Sequence, residues 1–584
     1  MIERRQFLTL AAAVPFALRA QRTRRPNVVV ILADDQGWGD LSIHGNTNLS
    51  TPNIDALANS GALFERFYVC AVCAPTRAEF LTGRYHPRGG VRGVSTGAER
   101  LNLGETTIAE TFRDAGYATG AFGKWHNGSQ FPYHPNARGF QEYYGFTSGH
   151  WGQYFDPELD HNGELIHGHG YIADDLTDHA IQFIRQNSPK PFFCYLPLNL
   201  PHSPMQVPDR FYDKFRDYTP KLTARNPAKE DLLHTRAALA MCDNIDYNVG
   251  RVLAALDKEK LANDTIVLYF SDNGPNAWRW NGGMKGIKGS LDEGGLRVPC
   301  FFRWPGRIPA GIRIPQIAGA IDLLPTLAEL TGVPLTSRKP LDGRSLTSLL
   351  LREKSQWAPR MIYTMHNGKV SVRSQQYRLD ANGALFDIET DPLQDKDVAV
   401  AKPEAASTLR AAAGAWSKEM LPLVGKDDRP FTVGYAGLTL LPARDGVPHG
   451  GIQRSAQAPN SSFFTNWTSK EDSITWDVEV GRAGTYEAIA YYTCRAVDIG
   501  ALIELSLGKD RVQCRINQPN DPPLTGMEQD RRKRDLESYV KDFKPLSLGR
   551  IRLSKTKGLL TLRALDIPGA KVADIRRIAL RYIS

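Results

Sequence analysis

The run Asn27-Val28-Val29-Val30-Ile31-Leu32-Ala33-Asp34-Asp35 decides how the chain folds. Residues 28–32 are apolar without a break and mostly β-branched, the texture of a strand buried on both faces of a parallel sheet. Two carboxylates follow at once, and burying them is costly unless they share a cation. The plain alternative is a solvated turn that uses Asp as a turn former. The same texture recurs three times. Residues 117–122 lead into Gly123-Lys124-Trp125-His126, residues 191–196 into Pro201-His202-Ser203-Pro204, and residues 265–270 into Ser271-Asp272-Asn273-Gly274. Residues 300–302 resume strand character. Helical patterns lie between these runs, at 51–57 with Pro52 in the first turn, 107–115, 176–186, 239–256 and 321–327. Alternation of this kind predicts a mostly parallel α/β sheet covered by helices on both faces. Ligands bind such sheets beyond the carboxyl ends of the strands. Four polar clusters therefore fall on one rim.

A second stretch feeds that rim: Val69-Cys70-Ala71-Val72-Cys73-Ala74-Pro75-Thr76-Arg77, continuing to Leu81-Thr82-Gly83-Arg84-Tyr85. It reads as a helix entrance, where backbone N–H groups and the helix dipole favour negative charge at Cys73. Arg77, one turn on, brings a planar cation to the same side. A buried structural thiol is the competing explanation. Asp34, Asp35, Asp272 and Asn273 offer only oxygen donors, which suits calcium or magnesium and disfavours zinc. Lys124 and His126, two apart in extended chain, point the same way. Prolines on both sides fix His202, and Lys288 stands in a Gly-rich loop over residues 282–290. The set combines a metal, fixed positive charge and two proton carriers, as group transfer to or from a tetrahedral anion requires.

At 584 residues the chain is too long for one core. The net charge of +9 is spread along it, with neither the concentrated patch nor the motif of a nucleic-acid binder. The dense cluster Arg531-Arg532-Lys533-Arg534 has acidic neighbours and reads as a solvated loop or helix face. Residues 1–20 carry Arg4-Arg5-Gln6-Phe7-Leu8 and a short apolar run, similar to a bacterial twin-arginine export signal, with a plain secretory signal as runner-up. No later segment reads as membrane-spanning, so a soluble exported protein, periplasmic or secreted, is expected. Seven cysteines leave at least one unpaired, with Cys73 the natural candidate, while Cys494 and Cys514 could pair.

From Asn27 to Pro305 the motifs, in their order, resemble those of the type I sulfatases of the alkaline-phosphatase-like superfamily. They are residues 32–35, 51–55, 73–85, 123–126, 201–202, 271–274 and 288–299. The resemblance implies a sulfuric ester hydrolase in which Cys73 is oxidised to formylglycine by a maturation enzyme. Asp34, Asp35, Asp272, Asn273 and the modified Cys73 would hold calcium, with magnesium an alternative. Arg77 would stabilise the modified side chain, Lys124 and Lys288 would bind sulfate oxygens, His126 would act as the base that releases sulfate, and His202 would serve the leaving alcohol. Many relatives carry Leu where Asn127 stands, a change that looks neutral. The catalytic domain is expected over residues 26–350 and a small antiparallel subdomain over 356–425. Short alternating strands from 430 to 584 predict an all-β sandwich, similar to carbohydrate-binding jelly rolls or serving as a docked structural module. His86, Arg88, His150, Trp151, His161, Trp278, Arg279, Trp280 and Asn281 lie near site motifs and as a set favour a sulfated carbohydrate substrate. A phosphodiester or phosphonate monoester hydrolase and an inactive glycan-binding protein are the other readings.

Overall fold

The computed structural model describes residues 25–353 and 356–584; the export signal expected over residues 1–20 lies outside the described residues. Ten strands form the central sheet: β1 (Asn27–Ala33), β2 (Ala62–Phe64), β3 (Ala118–Lys124), β4 (Glu142–Phe146), β5 (Glu158–His161), β6 (Glu164–His167), β7 (Phe192–Pro197), β8 (Thr265–Ser271), β9 (Cys300–Arg303) and β10 (Ile312–Ile314). They run in the order β10-β2-β9-β8-β1-β7-β3-β4-β5-β6. The middle block β8-β1-β7-β3-β4 is parallel, while β9 packs antiparallel on β8 and the β5–β6 hairpin closes the other side.

Strand β1 shows why. Its alternate residues Val29, Ile31 and Ala33 enter one core, and Val28, Val30 and Leu32 the other. Helices α1 (Pro52–Asn59), α4 (Ile172–Gln186) and α5 (Leu232–Lys258) cover the first face. Helices α2 (Cys73–Thr82), α3 (Ile108–Asp114) and α6 (Leu323–Thr331) cover the second. Thr107 and Glu110 form a reciprocal capping box at the start of α3. Two helices begin earlier than their apolar period indicates. Leu232 and Leu233 in the first turn of α5 are exposed, and Asp231 caps it by accepting from the His234 N–H. In α4 the first turn carries Asp174 and Asp175, which break the apolar pattern yet suit the positive helix end.

Four antiparallel strands follow, from Ile362–His366 to Leu385–Asp387, with helix α7 (Pro403–Met420) laid over Val372, Leu379 and Leu385. Residues 431–582 fold into two facing sheets around Trp467, Trp476 and a shared apolar core. Their pairing is antiparallel except where Phe431–Val433 joins residues 478–480. All seven cysteines are free thiols, so Cys494 and Cys514 do not pair.

The sandwich docks on the α/β unit through buried polar pairs. Arg444 lies 3.6 Å from Glu99, Arg577 binds Glu158 at 2.6 Å, and Gln130 donates to Asp445 at 3.0 Å. The basic cluster at 531–534 is a loop with Lys533 exposed, as expected, but its three arginines belong to this contact. Arg531 donates to the Val207 carbonyl and to Asp209, Arg532 to Asp231, and Arg534 is buried against Asp530.

Candidate active site

Parallel strands end together, so the polar residues that follow β1, β3, β7 and β8 meet above α2. Cys73 is the first residue of that helix, which is buried along its whole length. Its Sγ lies 3.4 Å from Asp34 Oδ1 and 3.8 Å from Asp35 Oδ1. Three cations answer three carboxylates. Arg77 donates from Nε and Nη2 to Asp272 Oδ2 at 3.0 and 2.7 Å, and from Nη1 to the Lys124 carbonyl. Lys124 Nζ donates to Asp34 Oδ2 at 2.7 Å, and Lys288 Nζ to Asp35 Oδ1 at 2.6 Å. Arg77 and Lys124 have no exposure at all, whereas the Lys288 side chain is 21% exposed and reaches the open pocket.

The titration behaviour follows from this crowding. Burial opposes ionisation of Asp34, but Lys124, then His202 and Arg77, hold it well below the usual carboxylate range. Asp35 is likewise held down, chiefly by Lys288 against burial. Asp272 goes the other way, to about 7, through burial and the adjacent Asp34 charge. Burial and Asp272 push the Cys73 thiol well above its ordinary value, so it is no ready thiolate.

Both histidines reach the site. His126 is buried at φ 63°, so it turns out of the extended path and the simple alternation argument does not place it. What places it is the Val94 carbonyl, 2.8 Å from Nε2, and the close approach of Gly149, where a Cβ would stand 2.2 Å from Nε2. Nδ1 is buried without a partner. Burial and Lys124 keep this ring neutral. His202 holds the Ser203 carbonyl with Nδ1 at 2.7 Å and turns Nε2 to 3.7 Å from Asp35 Oδ2. The Tyr154 hydroxyl braces this loop by donating to the carbonyls of His202 and Ser203.

A cation fits. Ligand atoms of Asp34, Asp35, Cys73 and His202 lie within 4.8 Å of one another. Asp35 Oδ2 and Asn273 Oδ1 are buried and lack any hydrogen-bond partner, as oxygens awaiting a metal would. Asp272 stands behind this group, with Oδ1 accepting the Asp35 N–H and Oδ2 held by Arg77.

A Sulfatase family model matches residues 26–333, more than half the chain. The chain belongs to the sulfatase family. It is 31% identical to arylsulfatase G of Rattus norvegicus over 431 residues, covering 64% of this chain and 78% of that protein. It is 30% identical to N-acetylgalactosamine-6-sulfatase of Sus scrofa over 391 residues, covering 60% and 71%. Among solved structures it resembles Ps i-CgsB in complex with k-i-k-neocarrahexaose, at 31% identity and a TM-score of 0.61, over 68% of this chain and 94% of that one. This sulfatase is thus a sulfuric ester hydrolase.

Of the specificity candidates, His150 comes to the centre, its ring 5.5 Å from that of His202 and both its nitrogens buried without partners, and Arg279 touches it from behind, donating from Nη2 to the Asp35 carbonyl at 3.0 Å. His86 sits with Cys70 and Glu79 in a separate cluster, and Arg88 pairs with Asp342 and Glu419. His161 is exposed and Trp151 packs on Phe146. Trp278 lies under Lys229, Arg279 is locked to Asp40, Trp280 is half-buried, and Asn281 accepts the Gly39 N–H. Asn127, a neutral-looking departure in the sequence, is buried and donates to the carbonyls of Ala74 and Glu99. Nothing in the sequence links residues 532–537 to the site, yet they line the pocket beside His202 and Lys288.

Proposed function

We propose that this sulfatase removes sulfate from a sulfated carbohydrate, using a formylglycine made from Cys73 and a bound calcium ion. The observation that carries the reading is the closed charge set around the Cys73 side chain: Asp34, Asp35 and Asp272 against Arg77, Lys124 and Lys288. An anionic ester meets fixed cations there, two of them, Arg77 and Lys124, fully buried. In the modified residue an oxygen would stand where Sγ stands now, next to Asp34 and Asp35, and it would supply the attacking oxygen. Asp34, Asp35, Asp272 and Asn273 would hold calcium with that oxygen, with Arg77 and the Asp35 N–H keeping the Asp272 carboxylate in place. Calcium supplies Lewis-acid stabilisation of negative charge. Magnesium, which demands tighter octahedral geometry, suits this crowded set less well.

Lys124 and Lys288 then fix sulfate oxygens, Lys288 from the pocket side. His126, neutral and with Nδ1 free, accepts a proton at that atom. His202, held at Nδ1 by the Ser203 carbonyl, exchanges a proton with the leaving oxygen at Nε2. The carbohydrate assignment draws support from the sulfated amino sugar in the name of the Sus scrofa relative and from the neocarrahexaose bound to Ps i-CgsB. We divide the chain into a catalytic domain (26–350), an antiparallel subdomain (356–425) and a β-sandwich (430–584). Residues 1–20 are read as a twin-arginine export signal, so a formylglycine-generating enzyme would act before the folded chain leaves the cytoplasm. No described helix is long and apolar enough to cross a membrane. The test is a screen of calcium-loaded protein against defined sulfated saccharides, 4-nitrophenyl sulfate and an aryl phosphonate monoester. Sulfate release from saccharides supports the proposal; preference for the phosphonate would replace it with the phosphonate hydrolase reading.

A further inference from the structure

The pocket outside Lys288 and His202 has two walls, and one of them comes from the other end of the chain. Asp35, His202, Lys288 and Asp231 line one side, and Lys533, Leu536 and Glu537 of the β-sandwich line the other. This segment is anchored rather than draped. Gln206 donates to the Gly526 carbonyl and to Asp530, the Arg531 N–H donates to the Met205 carbonyl, and Arg532 donates to Asp231 at 2.8 Å. Arg534, buried inside the loop, ties Asp530 to the Ser538 carbonyl. At the rim of the site, Ser203 Oγ donates to Glu537 Oε1 at 2.6 Å, so the sandwich grips the residue next to His202.

These roles differ by residue. The charges of Arg532 and Arg534 are matched by Asp231, Asp535 and Asp530. Lys533 is exposed at the pocket and, among the described residues, has no carboxylate partner. Leu536, 52% exposed, offers an apolar patch beside it, and Glu537 offers carboxylate oxygen to hydroxyl groups. An ammonium, an apolar face and a carboxylate within one wall suit a sugar ring that carries a second anionic substituent.

We propose that residues 526–540 of the β-sandwich complete the leaving-group subsite, with Lys533 binding a second sulfate or a carboxylate on the sugar released and Glu537 positioning the His202 loop. This inference rests on the carbohydrate sulfatase reading above. It makes the sandwich part of the active site instead of a separate glycan-binding module.

The test compares wild type, Lys533→Ala, Lys533→Arg and Glu537→Gln on three probes: 4-nitrophenyl sulfate, multiply sulfated oligosaccharides including neocarrahexaose, and oligosaccharides with one sulfate beside a uronate. Lys533→Ala should raise KM about tenfold on whichever oligosaccharide class supplies the second anion, and Lys533→Arg should restore it. Activity on 4-nitrophenyl sulfate should stay within about twofold, since that leaving group does not reach the loop. Glu537→Gln should lower kcat on oligosaccharides with unchanged thermal stability. Equal losses on aryl and saccharide substrates, or no change on any oligosaccharide that wild type cleaves, would overturn the subsite. Wild type that cleaves 4-nitrophenyl sulfate but no saccharide would overturn the carbohydrate reading, and the subsite with it.

Discussion

The two walls of the pocket are built on opposite principles. The inner wall, at the ends of β1, β3 and β8, is buried apart from Lys288 and electrically matched, three carboxylates against three cations within 2.6–3.0 Å contacts. The outer wall, from the sandwich, is half-open, and Lys533 faces the pocket unmatched. Burial makes each inner charge depend on the others, since removing one partner strands the next. In the outer wall the residues that face the pocket, Lys533 and Leu536, are exposed, so little packing rests on them. On the proposed reading, the contrast puts the chemistry on the sheet rim and substrate choice on a docked loop.

The largest effect should come from the inner wall. Cys73→Ala is expected to reduce turnover by at least ~10³-fold on every sulfate ester, because the covalent route disappears. Steady-state assays on aryl and saccharide substrates check this, and comparable losses on both are required. Removal of calcium with a chelator should abolish activity and lower the melting temperature, with calcium restoring both and zinc restoring neither. His202→Ala should separate the walls: a loss of ~10²–10⁴-fold on sugar sulfates but much less on 4-nitrophenyl sulfate, whose leaving group departs without a proton. His126→Ala should lower both rates alike.

A smaller effect tests the matching principle on the reverse side of α2. Glu79 is buried beside Cys70, no cation pairs with it among the described residues, and burial raises its carboxyl to about 8. A raised carboxyl contributes stability that is full below its unfolded value near 4.5 and is lost as pH rises through about 8. Melting temperature should therefore fall between pH 5 and 9, and Glu79→Gln should flatten that slope by the equivalent of a few kcal/mol at the alkaline end. The smallest change is Asn127→Leu, expected to remove about 1 kcal/mol by leaving the Ala74 and Glu99 carbonyls unsatisfied. Denaturant unfolding would register it.

How far each wall was legible follows from the same contrast. Asp34, Asp35, Lys124, Asp272 and Asn273 follow buried strands directly, so strand texture alone puts them on one rim. His126 was found for the wrong geometric reason, since its left-handed backbone departs from the extended chain assumed for it. The docking of the 531–534 loop was not legible because Asp209 and Asp231, which hold Arg531 and Arg532 to the α/β unit, lie some three hundred residues earlier. No local pattern records such a pairing. His150 apart, the aromatic and histidine candidates sit away from the metal residues for a related reason: proximity in sequence to a motif does not bring a side chain to its site.

The most direct test of the account is a peptide mass spectrum of residue 73 in fully active enzyme, paired with labelling by an aldehyde-specific hydrazide. The account predicts an aldehyde in place of the thiol, with labelled fraction tracking specific activity. An unmodified Cys73 thiol in enzyme of full activity would contradict it.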